Sequence, residues 1–117
     1  MPQYQRLEVS EVGDVTVVRF RNRRITEDID IQELGSEMFS LVERDKREKL
    51  LLNFTAVDFL GSAALGKLIT LDRKVKAQGG TMKLSNIGAN IIEVFSITKL
   101  DRFFDIKEDE ADALAAF

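Results

Sequence analysis

The fold is decided within the stretch Val57-Asp58-Phe59-Leu60-Gly61-Ser62-Ala63-Ala64-Leu65-Gly66, where the hydrophobic pattern changes its period. The preceding run, Leu50-Leu51-Leu52-Asn53-Phe54, is apolar except for Asn53, which is typical of a central strand buried on both faces. After Ser62 the apolar positions fall on one helical face, and they are Leu65, Leu68, Ile69 and Val75. The sequence therefore predicts a strand, a loop and a helix with Ser62 at its start.

The rest of the chain predicts alternating strands and helices. A hairpin that turns at Gly13-Asp14 comes first, followed by a helix over roughly residues 29–44 with Asp28 or Asp30 as its cap. The helix that begins at Ser62 is expected to end at Gly79-Gly80, because glycine adopts the left-handed conformation of a helix C-terminus. The later elements are a strand over 81–84, a helix carrying Ile91, Ile92, Val94 and Phe95, a last strand around Phe103, Phe104 and Ile106, and a tail helix within 108–117.

This order, β-β-α-β-α-β-α-β-α, favours a single α/β domain over residues 1–117. Strands that alternate with helices form a mostly parallel sheet, and the N-terminal hairpin makes the sheet mixed. We therefore expect a mixed, mostly parallel sheet of about five strands with four helices.

The composition excludes several classes of function. The 117 residues suffice for one domain, and the formal net charge of -3 gives no general attraction to nucleic acid or to anionic membranes. The chain has no cysteine and no histidine, which removes disulfides, thiolate chemistry, the usual zinc ligands and the usual general base. No signal peptide and no apolar run of the ~20 residues that a membrane span needs are visible. We expect a soluble cytoplasmic protein with no metal site and no cofactor.

The segment Leu60-Gly61-Ser62-Ala63-Ala64-Leu65-Gly66 resembles the phosphorylation loop of STAS domains, in particular of the anti-sigma factor antagonists. In that family an Asp-Ser-Ser/Thr-Gly-Leu-Gly type motif lies between a central strand and the following helix. Ser62 matches the phosphorylated serine, and Leu65 and Gly66 match the closing Leu-Gly. Gly61 stands where the family usually has aspartate, and two alanines replace the second hydroxyl residue and a glycine. The order of elements on both sides also fits the family across nearly the whole chain.

The resemblance implies a STAS-like fold and a binding switch rather than an enzyme. In the family's scheme the unphosphorylated protein sequesters an anti-sigma factor that is also a serine kinase, and phosphorylation, here of Ser62, releases it. ATP is then the substrate of the kinase. The implied contact surface is the loop with the exposed face of the following helix. Its residues are Asp58, Phe59, Leu60, Gly61, Ser62, Ala63 and Gly66.

Two compatible interpretations apply to Ser62. Serine is a preferred helix N-cap, so capping alone accounts for its position. A phosphate there would face unpaired N–H groups and the positive end of the helix dipole. Gly61 cannot supply the carboxylate of the family motif, and Asp58 lies three residues before it on a loop. Constitutive binding of a partner is therefore an alternative to phosphorylation control.

Residues close to the loop also have two interpretations each. We expect one of Phe59 and Leu60 to pack in the core, and the other, if exposed, to be an apolar anchor for a partner. Arg21, Arg23 and Arg24 form either a solvated loop or a contact patch for an acidic partner.

Other polar motifs give no case for an enzyme. Asn86 and Gly88 are either turn residues or part of the same surface, since neighbouring parallel strands present their C-terminal loops on one side. The acidic residues between Glu108 and Asp112 fit a solvated helix start better than a cation site. Ser96-Ile97-Thr98-Lys99 matches the Ser-x-x-Lys pattern of penicillin-binding proteins, but the partner motifs of that family are missing.

Two rival functions stay open at this point. One is a non-switching STAS scaffold, or a cytosolic subunit of a membrane transporter, and Gly61 in place of aspartate favours it. The other is a small-ligand or nucleotide-binding module, which needs an apolar pocket with convergent polar groups. The sequence contains no phosphate-binding motif for such a module, and it does not determine the oligomeric state.

Overall fold

The computed structural model describes residues 4–117, and within that range it contains seven strands and five helices. The strands are β1 (Leu7–Val12), β2 (Val15–Phe20), β3 (Arg24–Ile25), β4 (Lys49–Asn53), β5 (Phe59–Leu60), β6 (Thr81–Ser85) and β7 (Asp105–Lys107). The helices are α1 (Asp28–Glu43), α2 (Ser62–Ala77), α3 (Ala89–Ile97), α4 (Leu100–Phe103) and α5 (Glu110–Ala115). None of these helices is long and apolar enough to cross a membrane.

Five of the strands form the main sheet, in the order β1-β2-β4-β6-β7. The β1–β2 hairpin is antiparallel, and every other neighbouring pair in this sheet is parallel. Leu52 in the centre pairs with Val18 on one side and Leu84 on the other. The predicted mixed, mostly parallel sheet of five strands is confirmed.

The two faces of the sheet are covered unequally. Leu50 and Leu52 belong to the large hydrophobic cluster, which also contains residues of α1 and α2. Leu51 points to the opposite face, as the period of two in a strand requires, and packs with two valines of β2 and with Ala113. The long helices thus cover one face, and the short tail helix α5 packs on the other.

The end of α2 is where the sequence predicts it, whereas the cap of α1 is not. After α2 the backbone of Gly79 is left-handed, with φ +81°, and its N–H donates to the carbonyl of Lys76 over 3.0 Å. The predicted stop is therefore confirmed. For α1 the predicted cap is wrong, because Glu27 is the N-cap residue and makes no side-chain cap bond. Asp28 and Asp30 lie in the first turn, where their charge complements the helix dipole.

The C-terminal region differs from the sequence prediction in its number of helices. Residues 4–117 contain a fifth helix, the single turn α4, which begins after Lys99 in a left-handed conformation. Phe103 lies in this turn and is 38% exposed, while Phe104 is buried. The last strand is Asp105–Lys107, and both phenylalanines lie before it. The sequence does not locate this boundary because two adjacent aromatic residues show no periodic pattern.

The other difference is a second, two-stranded sheet formed by β3 and β5. The sequence predicts connections at both segments, since two residues are too few to show an alternating pattern. The pairing matters for the function because β5 leads directly into Ser62.

Candidate binding site at the start of helix α2

The β3–β5 pair positions the loop that precedes Ser62. The two strands are parallel, with Arg24 opposite Phe59 and Ile25 opposite Leu60. The Asp58 N–H donates to the Arg23 carbonyl over 2.7 Å, and the Gly61 N–H donates to the Ile25 carbonyl over 2.9 Å. The loop is therefore tied by its backbone to a segment more than thirty residues away in sequence.

The same pairing separates Phe59 from Leu60. Successive side chains of a strand point to opposite sides, and Leu60 is buried while Phe59 is 46% exposed. Leu60 thus belongs to the core, and Phe59 is the exposed apolar side chain beside the serine.

Ser62 is the first residue of α2 and is exposed, but it is not the N-cap. Gly61 has the extended backbone of a cap residue, with φ -76° and ψ 162°, and its carbonyl accepts from the N–H groups of Ala64 and Leu65. The prediction that Ser62 caps the helix is wrong, because the helix begins one residue too early for its side chain to do so. The serine hydroxyl is not used in a cap.

The N-terminus of α2 is electrostatically positive. The first N–H groups of a helix have no partner within it, and the aligned peptide dipoles place about half a positive charge there. The first turn of α2 carries no acidic residue, whereas that of α1 carries two. Negative charge brought to Ser62 would therefore be stabilised by this helix end.

Asp58 does not stand in for the missing aspartate of the motif. Its carboxylate accepts from Nε and Nη2 of Arg23 over 2.9 and 2.6 Å, which ties it to β3. Gly61 has room for a side chain, since an added Cβ would lie 3.4 Å from the Ile25 carbonyl oxygen and 3.6 Å from the Thr26 Cα. Neither space nor backbone conformation requires glycine at this position.

An apolar depression of about 40 Å³ adjoins the loop, between β5 and α3. Its lining residues are Asp58, Phe59, Leu60, Leu65, Asn90, Ile91 and Val94. The Arg24 guanidinium lies 4.9 Å from the centre of the Phe59 ring, in a cation–π arrangement. The contribution of α3 to this surface was not predicted from the sequence. A signal was present, because Val94 is an apolar residue that does not lie on the buried face of α3, which carries Ile91 and Phe95.

The other predicted contact residues lie on the surface of α2. Ala63 and Gly66 are exposed, and the space around Gly66 is open. Ala64 and Leu65, which complete the motif, are buried and hold the helix on the core. Ser62, Ala63 and Gly66 are therefore accessible on the first turns of α2, which begins directly after β5.

The remaining polar candidates serve the fold. Asn86 is left-handed with φ 58°, Gly88 is the N-cap of α3, and Asp109 caps α5 by accepting from the Asp112 N–H over 2.8 Å. Glu110 accepts from Arg19 and from the Asn53 amide, and so belongs to a pair network rather than to a solvated helix start. Across residues 4–117 no group of three or more acidic side chains is arranged to hold a metal ion.

Comparisons with known proteins agree on one family. The family model described as STAS domain matches residues 6–113. The anti-sigma-B factor antagonist of Bacillus subtilis (strain 168) is 38% identical over 50 residues, which are 43% of this chain and 46% of that protein. The match thus spans less than half of that curated relative.

Solved structures resemble the whole chain. An anti-sigma factor antagonist from Mycobacterium paratuberculosis has a TM-score of 0.82 at 25% identity, covering 94% of this chain and 91% of that one. A STAS domain protein from Planctomyces limnophilus, described as an anti-sigma-factor antagonist, has a TM-score of 0.83 at 21% identity, covering 94% and 95%. Because the family model covers nearly the whole chain, the chain belongs to the STAS domain family, and its homologues by sequence and by structure include anti-sigma factor antagonists.

Proposed function

We propose that this protein is an anti-sigma factor antagonist whose binding is controlled by phosphorylation of Ser62. Its partner is an anti-sigma factor that is also a serine kinase, and the contact surface is the β5–α2 loop with the exposed side of α2. The observation that carries the proposal is the exposed hydroxyl of Ser62 at the first position of a 16-residue helix, outside the cap.

The proposed switch depends on a phosphate on Ser62 having different effects on the free protein and on the complex with the anti-sigma factor. In the free protein a phosphate on Ser62 carries about -1.5 to -2 charges and faces unpaired N–H groups and water. In the complex the same charge would be buried under the partner, where an unpaired charge is costly. Phosphorylation then weakens binding without disturbing the fold.

The protein itself performs no chemistry in this scheme. Anti-sigma factor antagonists are non-enzymatic binding proteins, and ATP is the substrate of the kinase that modifies them. The nearest acid to Ser62, Asp58, is held by Arg23 and is not positioned as a base for the serine.

Intact mass spectrometry after incubation with ATP and the cognate kinase tests the proposal. We expect one added phosphate on the wild-type protein, none on Ser62→Ala, and one on the control Ser96→Ala, which removes another exposed serine. Calorimetric titration with the anti-sigma factor should show binding that is lost once the phosphate is present. A phosphate that persists in Ser62→Ala contradicts the assigned position.

A second candidate function is a scaffold that binds its partner constitutively, as in a cytosolic transporter subunit. Gly61 in place of the motif aspartate, together with the engagement of Asp58 by Arg23, favours it. Partner binding with no phosphate added under any kinase condition would support the scaffold and overturn the switch.

A further inference from the structure

The three arginines between β2 and α1 contact different parts of the molecule. Arg21 faces β1, where its Nε donates to the Leu7 carbonyl over 3.1 Å and its Nη1 lies 3.9 Å from a carboxylate oxygen of Glu8. Arg23 and Arg24 face the loop that precedes Ser62. Only these two arginines are therefore part of the candidate binding surface.

Arg24 carries a positive charge that the fold does not neutralise. No carboxylate of residues 4–117 lies within 4.0 Å of its guanidinium, whereas Arg23 is paired with Asp58. The Arg23, Arg24 and Asp58 side chains together carry a net charge of about +1, on a chain whose formal net charge is -3. Arg24 is therefore a cation without an ion-pair partner among residues 4–117, on an acidic protein.

The Arg24 charge is held in place by an exposed aromatic ring. The contact with Phe59 restricts the guanidinium, and because Arg24 is exposed, its N–H groups are accessible to a carboxylate, which a guanidinium can bind in a bidentate manner. Phe59 also lines the depression of about 40 Å³, which has room for one small apolar group, since about 10–15 Å³ of such space already holds a water molecule.

Helix α3 extends the apolar part of this surface. Val94 lines the depression and is 38% exposed, and Ile97, one turn later on the same helix, is 73% exposed. We call Arg24, Phe59, Val94 and Ile97 the arginine–aromatic patch. It combines one cation that has no ion-pair partner among residues 4–117 with exposed apolar side chains of β5 and α3.

We infer that the arginine–aromatic patch binds an acidic segment of the anti-sigma factor, in which a carboxylate pairs with Arg24 and a neighbouring small apolar side chain enters the depression beside Phe59. This inference rests on the proposed function and adds the chemistry of the partner. Arginine and aromatic residues are the side chains that most often dominate binding energy when a partner covers them. A basic segment on the partner would instead be repelled by Arg24.

Charge reversal at matched positions tests this inference. With the unphosphorylated protein and the anti-sigma factor that binds it, we expect Arg24→Glu and Phe59→Ala each to weaken binding about tenfold or more. The control Arg21→Glu makes the same charge change three residues away, where the side chain contacts β1 instead of the loop, and should alter the dissociation constant less than about twofold. Thermal melting of each variant verifies that the fold is retained.

The salt dependence of the affinity is a second measurement, and a variant that only loses its fold would not change it in the expected way. Between about 0.05 M and about 0.5 M NaCl the affinity of the wild type should fall more steeply than that of Arg24→Ala, because screening weakens only the charged contact. A glutamate- or aspartate-to-lysine change on the partner that restores binding to Arg24→Glu would identify the pairing carboxylate.

The outcomes separate this inference from the proposed function. If the wild type binds the anti-sigma factor and Arg24→Glu binds equally well, or more tightly, the inference is overturned and the proposed function stands. If the wild type binds no anti-sigma factor at all, the proposed function fails and this inference fails with it.

Discussion

At the scale of single residues, Gly61 is the departure from the family motif that removes a carboxylate before Ser62. The backbone there is an ordinary extended N-cap, and an added Cβ makes only van der Waals contact. Aspartate is a better N-cap than glycine by a few tenths of a kcal/mol, and its charge at a helix N-terminus adds about 0.3–1 kcal/mol. We expect Gly61→Asp to raise the free energy of unfolding by about 0.5–1 kcal/mol, measured by urea denaturation.

Gly61→Ala is the matched control, because alanine adds the same Cβ without a capping oxygen. It should be less stable than the wild type, giving the order aspartate, glycine, alanine. If Gly61→Asp and Gly61→Ala lose stability equally, crowding against Ile25 decides the position instead of capping.

At the scale of elements, the tail helix α5 shows how a short segment stabilises a sheet face. Ala113 is fully buried against the outer side of β2 and β4, whereas Ala115 on the same helix is exposed. Glutamine at position 113 places an amide and extra volume in that contact. We expect Ala113→Gln to lower the free energy of unfolding by about 2–3 kcal/mol, by far-ultraviolet circular dichroism in urea.

Ala115→Gln is the control for helix propensity, and its effect should stay within about 0.5 kcal/mol. Undocking of α5 would expose Val15, Val17 and Leu51, so Ala113→Gln should also bind a hydrophobic dye more strongly than the control does. Equal effects of the two substitutions would mean that α5 does not contribute through packing.

The β6–β7 pair links stability to pH. Lys83 is opposite Asp105 in the parallel register, and its ammonium, with Lys107 at 3.2 Å, holds the pKa of the Asp105 carboxyl below its usual value of 3.8. A carboxyl with a depressed pKa in the folded state stabilises the protein above about pH 4, and this contribution is lost as the pH falls through the folded-state pKa.

We expect the stability difference between wild type and Lys83→Met to shrink as the pH falls from about 6 to about 3, because the lysine then loses its charged partner. Urea denaturation at a series of pH values measures this difference. In an Asp105→Asn background the effect of Lys83→Met should not depend on pH in that range. A difference that grows on acidification would contradict the assigned pair.

The sequence predicted the long elements because each has a period that its own residues display. The run from Leu50 to Phe54 and the helical spacing after Ser62 gave β4 and α2 nearly to the residue. The single turn α4 and the β3–β5 pair were missed for the opposite reason. Both are too short to carry a pattern of their own, and the β3–β5 pair is held by a contact between distant segments, the Gly61 N–H to the Ile25 carbonyl.

At the scale of the whole molecule, the candidate site draws on three separate parts of the chain. The motif identified Ser62 and its neighbours because they are contiguous in sequence. Arg24 and Val94 reach the same surface only through the β3–β5 pair and the docking of α3, and Arg23 is 35 positions away from its partner Asp58 in sequence. The sequence pattern fits the arginines either as a solvated loop or as a contact patch, and only the tertiary structure separates Arg21 from Arg24.

This arrangement predicts what phosphorylation does to the free protein. Ser62 is exposed at the positive end of α2, while the loop before it is held by the bond from the Gly61 N–H to the Ile25 carbonyl and by the buried Leu60. A phosphate on Ser62 should leave the melting temperature unchanged or raise it slightly, since an anion at a helix N-terminus contributes about 0.3–1 kcal/mol. Amide chemical shifts should change around residues 58–66 and not across the sheet. A lower melting temperature with shifts spread over β2, β4 and β6 would mean that the phosphate acts by unfolding, and direct blocking of the interface would then be the wrong mechanism.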